Sequence, residues 1–358
     1  MDYQADTTPL PPPRIHGRGV TPLGPVDADP SAPSPQGWRD RRRLPALPPL
    51  EPEDQEPRER EPRGRLPRLP RRTKSKRGNG RKPRGRFRRA LRITAIVSII
   101  AVVGSLVTTL AYNWITPPRT AFMLEAGEPT VYQYVAIDHI SRYTIASVIA
   151  HEDEELGTRA GAFSIDDFMA RAQAFASGQP DPSGSTVPQQ LVKNIFLWPS
   201  QDPLRKGIEA GLSEEFDFML PKERIMELYL NYAQFGPKLF GICAASWYYF
   251  NAPPSQLTQY ESEQLMGVLP DPDNVRRAAG GGLDISAAAN PEAADLINGA
   301  ANVWVPRQLA GMGGWQAAVK TIGIADTAAD HPATESGPDG CSTMPQDVAK
   351  RLQSEGVG

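Results

Sequence analysis

The chain has 358 residues, 39 of them Lys or Arg and 41 Asp or Glu, which leaves a formal charge of −2. Its two Cys (Cys243 and Cys341) and four His (His16, His139, His151 and His331) make no zinc-like spacing, which excludes a recognisable metal cage. The arginine run 58–86 has no aromatic residue within it to stack bases, which argues against nucleic acid as a partner.

Residues 1–92 hold 18 of the 37 prolines, with 23 basic and 11 acidic side chains, against 16 and 30 in the remainder. Such a segment sustains neither helix nor ladder hydrogen bonds and lacks the apolar content for a core, so it reads as a disordered Pro/Arg-rich cytoplasmic tail. Its arginines suit anionic membrane lipids, and Pro-rich pieces such as Leu10–Arg14 suit capture of a protein partner.

Ile93 to Ile115 are 23 consecutive residues without a charge, and the 35 before them hold 17 basic residues and two Glu. As a helix the apolar run reaches roughly 34 Å, enough to cross a bilayer. It is longer than the apolar core of a cleaved signal peptide and begins far from the N-terminus. The basic flank predicts a cytoplasmic N-terminus in the inner membrane, a single pass over 93–115, and a periplasmic remainder.

Residues 119–322 have the composition of one globular domain, and their periodicity predicts a mainly α fold. Pro203 to Leu220 place Ile208, Leu212, Phe216 and Leu220 four apart, and Lys222 to Tyr232 repeat the pattern with Ile225, Leu228, Tyr229 and Tyr232. A short strand is predicted around Thr130 to Ile137. Pro253 and Pro254 break the chain before another helical run, Gln256 to Leu269. Residues 323–358, small, polar and Gly-rich, read as a disordered C-terminal tail. A Cys243–Cys341 disulfide is allowed outside the cytosol but not implied, since Cys341 lies in that tail.

Four clusters carry chemistry. In the first, Val148 to Glu155, an apolar helical segment runs into four acids, and Glu152 is the acid next to the buried face. A carboxyl desolvated in that way is suited to proton transfer, whereas a plain acidic run is a solvated surface. The second is Gly184 to Asn194. Thr186 and Gln189 have capping-box spacing and Pro188 fits a first helical turn. A cap leaves Gln190, Lys193 and Asn194 unexplained, and these share one face near a helix N-terminus, a setting for phosphate. In the third, Arg205 and Lys206 precede Glu209; Arg205 and Glu209 stand one turn apart and as an exposed pair would contribute well under ~1 kcal/mol. The fourth, Lys222 to Asn231 with Phe235-Gly236 and Gly241, is accounted for by an amphipathic helix and a tight turn.

In this order and spacing, GSTxxQQLxKN, RKxxEA and KxRIxExYLN behind a membrane span resemble the family 51 glycosyltransferases, the peptidoglycan glycosyltransferases. The resemblance runs from about Thr120 to Gly314. Thr120 to Met123, Tyr132 to Tyr134, Asp138 to Ser141, Trp198 and Arg307 to Gly314 are similar to the monofunctional biosynthetic members in particular, and no SxxK motif of a transpeptidase occurs in the chain.

The resemblance implies a lysozyme-like, two-lobed helical domain that joins lipid-linked disaccharide-peptide units (lipid II) onto a growing glycan strand and releases polyprenyl pyrophosphate. It makes Glu152 the general base for the acceptor 4-hydroxyl and Glu209 the group that assists pyrophosphate departure. Ser185, Thr186, Gln189, Gln190, Lys193, Asn194, Arg205 and Lys206 would bind the substrate and its pyrophosphate. The family's reaction inverts the anomeric centre, so by analogy with inverting glycosidases the two carboxyls are expected roughly 6.5–9.5 Å apart. No cofactor is required by this scheme, which leaves room for assistance by Mg2+ or Mn2+ and for cell-wall synthesis or division proteins as partners.

Departures from the family pattern are Leu156 for an aromatic, Arg159 for a histidine, Gln201 for a base and Gln234 for an acid. Two other readings use the same residues: a lysozyme-like enzyme that cuts glycan strands, and a non-catalytic membrane scaffold with a degenerate glycosyltransferase domain.

Overall fold

The computed structural model describes residues 84–179, 184–197, 203–286, 290–325 and 341–357. Readings that fall on residues 1–83, on Trp198 and Gln201, and on His331 lie outside the described residues.

The first helix, α1 (Arg84–Ala111), begins inside the basic flank rather than at Ile93, because Arg, Ala and Leu after Pro83 are all good helix formers. The tail predicted to reach residue 92 is therefore corrected at its end: residues 84–92 are helical. Arg88–Ala111 is 24 residues long, about 36 Å, and beyond Arg92 it carries no charge, with Leu91, Ile96, Ile100, Val103 and Val107 all exposed. An uncharged stretch of this length with its large apolar side chains exposed suits the inside of a bilayer, and α1 is fitted to anchor the chain in a membrane. It stops at Ala111, four residues short of the predicted end. There Tyr112 turns into the domain against Phe196 and Phe216, and Asn113 Nδ2 donates to the carbonyls of Leu110 and Met219.

The rest is mainly helical, as the periodicity predicts. After α2 (Ala121–Ala126) comes β1 (Val131–Tyr132), inside the predicted strand window. It pairs in parallel with β3 (Leu239–Phe240), which pairs antiparallel with β2 (Gln234–Gly236). Five helices then position the site: α3 (Arg142–Glu152), α4 (Ile165–Ala176), α5 (Val187–Phe196), α6 (Pro203–Met219) and α7 (Lys222–Tyr232). Helix α7 lies at the centre, buried from Ile225 to Tyr232. Each large apolar side chain enclosed there contributes about 1.5–3 kcal/mol. Around it stand α8 (Ile242–Phe250), α9 (Gln259–Met266), α10 (Pro291–Gly299), a π-helical turn (Ala300–Trp304), α11 (Val305–Met312) and α12 (Trp315–Thr321).

The fourth sequence cluster is structural. Glu227 accepts from Tyr134 Oη at 2.7 Å and from the Ile137 amide at 2.9 Å, and Asn231 bonds both the amide and the carbonyl of Val135 at 2.8 Å. These contacts lash the chain between β1 and α3 to α7.

The C-terminal expectation is corrected. Residues 346–355 form α13 (Gln346–Glu355), with Val348 and Leu352 buried, and Cys341 is bonded to Cys243 of α8. Tyr248 Oη donates to Glu355 at 2.7 Å, and the Arg351 guanidinium stands 4.5 Å from the centre of the Tyr248 ring. Two buried apolar side chains suffice once a disulfide and an aromatic face hold the helix in place.

Candidate active site

Helix α3 ends at Glu152: Asp153 leaves helical geometry at φ −161° and the chain turns outward. The four acids then part company. Glu154 and Glu155 are exposed, Asp153 is buried, and Glu152 is mostly enclosed.

Asp153 is held by Arg159 through two parallel bonds of 2.7 and 2.9 Å, and the same carboxylate accepts the Val187 amide at the start of α5 at 3.1 Å. Arg159 also donates to the carbonyls of Gly161 and Ala162. Burial works to lower the Arg159 pKa, but the bond to Asp153 and that residue's charge outweigh it, so the guanidinium is held above its ordinary value. Gly161 at φ +88° packs so close to the Glu214 carboxylate that a Cβ would sit 3.0 Å from it. Arg159, a departure from the family pattern, is thus the clasp of the loop after α3.

At the start of α5, Thr186 and Gln189 form the predicted capping box, and the Thr186 amide donates to Gln189 Oε1 at 3.1 Å. Thr186 Oγ1 also donates to the Ala162 carbonyl at 2.7 Å. Asn194 is buried and reaches the Tyr232 carbonyl at 3.4 Å. Thr186, Gln189 and Asn194 therefore hold the helix, while Gln190 and Lys193 face the acids. Gln190 Nε2 donates to Glu152 Oε2 at 2.6 Å and to the Ser185 carbonyl at 3.0 Å, and its Oε1 takes a 3.3 Å bond from Tyr229 Oη. Burial, reinforced by the charges of Glu152 and Asp153, pushes the Tyr229 pKa far above its usual value and keeps it a donor.

On α6, Glu209 lies between Arg205 at 3.0 Å and Lys206 at 2.8 Å. The Arg205–Glu209 pair is buried, not exposed as the spacing suggested, so removing Glu209 leaves the Arg205 charge uncompensated. Arg205 keeps a buried Nε–H with no acceptor among the described residues.

Lys193 stands on α5 three residues after Gln190. Burial lowers its pKa; the charges of Glu209 and Glu152 counter that, while those of Lys206 and Arg205 add to it. One ammonium thus lies in the field of both proposed acids and both cations of α6, with the Phe122 ring centre 5.7 Å away. Sequence reading missed His151, whose Nδ1 is 2.7 Å from Glu152 Oε1, and the bracing Tyr229. His151 directly precedes the acidic run, and adjacent residues in sequence give no sign of meeting; Tyr229 lies inside a motif but reads as core.

Residues 121–290 match the family model described as transglycosylase. The chain is 35 % identical over 196 residues to the biosynthetic peptidoglycan transglycosylase of Pasteurella multocida, covering 52 % of this chain and 78 % of that protein. The chain belongs to the transglycosylase family. Other members at similar distance are the biosynthetic peptidoglycan transglycosylases of Pseudomonas putida (33 % identical over 222 residues, 60 % of this chain and 88 % of the relative) and Rhodopseudomonas palustris (35 % over 192 residues, 52 % and 80 %). In this transglycosylase the matched segment contains all ten residues proposed from the motifs, from Glu152 to Glu209.

Proposed function

We propose that this transglycosylase polymerises lipid II into glycan strands, with Glu152 as the general base and Glu209 assisting the departing pyrophosphate. The observation that carries the reading is the geometry of two enclosed carboxylates, Glu152 held by Gln190 Nε2 at 2.6 Å and Glu209 flanked by Arg205 at 3.0 Å and Lys206 at 2.8 Å, with Lys193 on the same helix as Gln190. Attack by the acceptor 4-hydroxyl on the anomeric carbon needs a proton acceptor on one side, and Glu152 is held there as one. Negative charge grows on the pyrophosphate on the other side. Lys193, Lys206 and the Arg205 Nε–H, which has no acceptor among the described residues, supply positive charge and a donor for it, and such groups act most strongly in a site drier than water. Glu209 is flanked by two cations and keeps them aligned; with charge neutralisation assigned to side chains, polymerisation is expected to survive chelation of Mg2+ and Mn2+ by EDTA.

A lysozyme-like hydrolase would use two carboxyls but has no need of a cationic nest, since its leaving group is a neutral sugar oxygen. A degenerate scaffold fits poorly as well. Leu156 fills the core, Arg159 clasps Asp153, and Gln234 bonds Asp273 at 2.8 Å, so three departures from the family pattern have structural partners while both carboxylates remain.

The membrane placement belongs to the same proposal: α1 crosses the inner membrane once, with the basic flank in the cytoplasm and the domain in the periplasm. The Cys243–Cys341 bond supports that orientation, because disulfides persist in oxidising compartments. The test is incubation of purified protein with labelled lipid II. Glu152→Gln is expected to abolish polymer while leaving the melting curve unchanged; polymer at the wild-type rate from that variant rejects the assignment, and soluble muropeptides released from cell wall instead would favour hydrolysis.

A further inference from the structure

We propose that His151 is a positioning residue for the proton-accepting carboxylate, its Nδ1–H fixing Glu152 Oε1 so that a lone pair of the carboxylate is aimed at the acceptor hydroxyl. This rests on the reading of Glu152 as the base. Adjacent residues of a helix do not normally face one another. Here they do because α3 terminates at Glu152, and the carboxylate folds back to within 2.7 Å of His151 Nδ1, both side chains being 12 % exposed. The other oxygen is 2.6 Å from Gln190 Nε2, which can only donate. With the carboxylate ionised, the imidazole partner must donate too, so Nδ1 carries a proton.

The imidazole is itself steadied. The Trp304 ring lies 6.4 Å from it, inclined at 38°. Trp304 closes the π-helical turn between α10 and α11, an irregularity that often marks functional positions. Gly299 makes room for the indole: a Cβ there would come within 2.6 Å of it. A glycine, an expanded helical turn and an indole thus lead to one imidazole, and that imidazole to one carboxylate. During the reaction the hydroxyl proton passes to Glu152, and His151 keeps its own.

The full-length protein in detergent, with labelled lipid II, provides the test. His151→Ala is expected to lower kcat about tenfold to a hundredfold, the cost of a misdirected reacting group, with KM unchanged. His151→Asn, whose amide N–H reaches the place of Nδ1–H, is expected to keep most of the rate. In 15N-histidine NMR the wild-type ring should be protonated on Nδ1, and Glu152→Gln should perturb that signal. A His151→Ala enzyme with wild-type kcat, or a wild-type ring protonated on Nε2 alone, overturns the proposal; should the alanine variant not fold, the asparagine variant and the spectrum decide. An active Glu152→Gln enzyme removes the base assignment itself, whereas an inactive one beside a fully active His151→Ala removes only the role of His151.

Discussion

Lys193 is where burial and charge compete most directly, and the direction of its shift has a kinetic consequence. A lysine with a lowered pKa loses its charge at a lower pH than a free one. If its ammonium holds the pyrophosphate, KM for lipid II should rise as pH climbs through that lowered value, and Lys193→Arg should move the rise to higher pH. The pH dependence of kcat/KM for the two proteins checks this, and coincident alkaline limbs would count against it. In the free protein the unfolded chain holds the proton over that window and the folded one does not, so stability increases with pH there. Arg159 poses a different residue-scale question, because its pairing with Asp153 is buried. Arg159→Met is expected to cost about 3–5 kcal/mol by stranding the Asp153 charge. Asp153→Asn in the same chain should recover part of that loss, as thermal melting of the single and double variants would reveal.

At the level of elements, α5 and α7 were legible in the sequence because their boundaries are written locally: Thr186, Pro188 and Gln189 announce a helix start, and Ile225, Leu228, Tyr229 and Tyr232 mark one face. Helix α13 was not legible. Within QDVAKRLQSE only Val348 and Leu352 are large and apolar, and what fixes the segment is remote: Cys243, Tyr248 and the Pro237 carbonyl that receives Arg351. The candidate site divides the same way. Its acids and cations are named by local motifs, whereas the contact of Glu152 with Gln190, 38 residues on, exists only in the fold. Because the disulfide closes a 98-residue separation, Cys341→Ser is expected to lower unfolding free energy by about 2–4 kcal/mol. Hydrogen exchange should deprotect 346–355 first while polymerisation persists, since none of the proposed catalytic groups lies on α13. Early loss of protection in α5 instead would mean that the bond supports the whole domain.

On the scale of the whole molecule, α1 is bolted to the domain. Arg224 Nε donates to the Tyr112 carbonyl at 2.8 Å, and its terminal nitrogens reach the Ile115 carbonyl, Thr116 Oγ1 and Glu227. Tyr232 Oη donates to the Pro117 carbonyl at 2.7 Å, and Ser105, well inside the apolar stretch, donates to Glu215 of α6 at 2.7 Å. Ser105 is six residues before the end of α1, about 9 Å along its axis, so α6 runs beside the last turns of the span. The same α6 carries Arg205, Lys206 and Glu209, and its exposed Leu204, Ile208 and Phe218 suit contact with lipid. On the proposed membrane placement, a lipid-borne donor would meet the cationic nest without leaving the bilayer surface, provided the junction stays rigid. Arg224→Met paired with Glu227→Gln removes the clasp without stranding a buried carboxylate. The double variant should be cut faster by trypsin at Arg119, just beyond the junction, and should polymerise lipid II more slowly in vesicles although the freed domain melts as a unit. Unchanged cleavage at Arg119 would show that Tyr232 and Ser105 hold the anchor without Arg224.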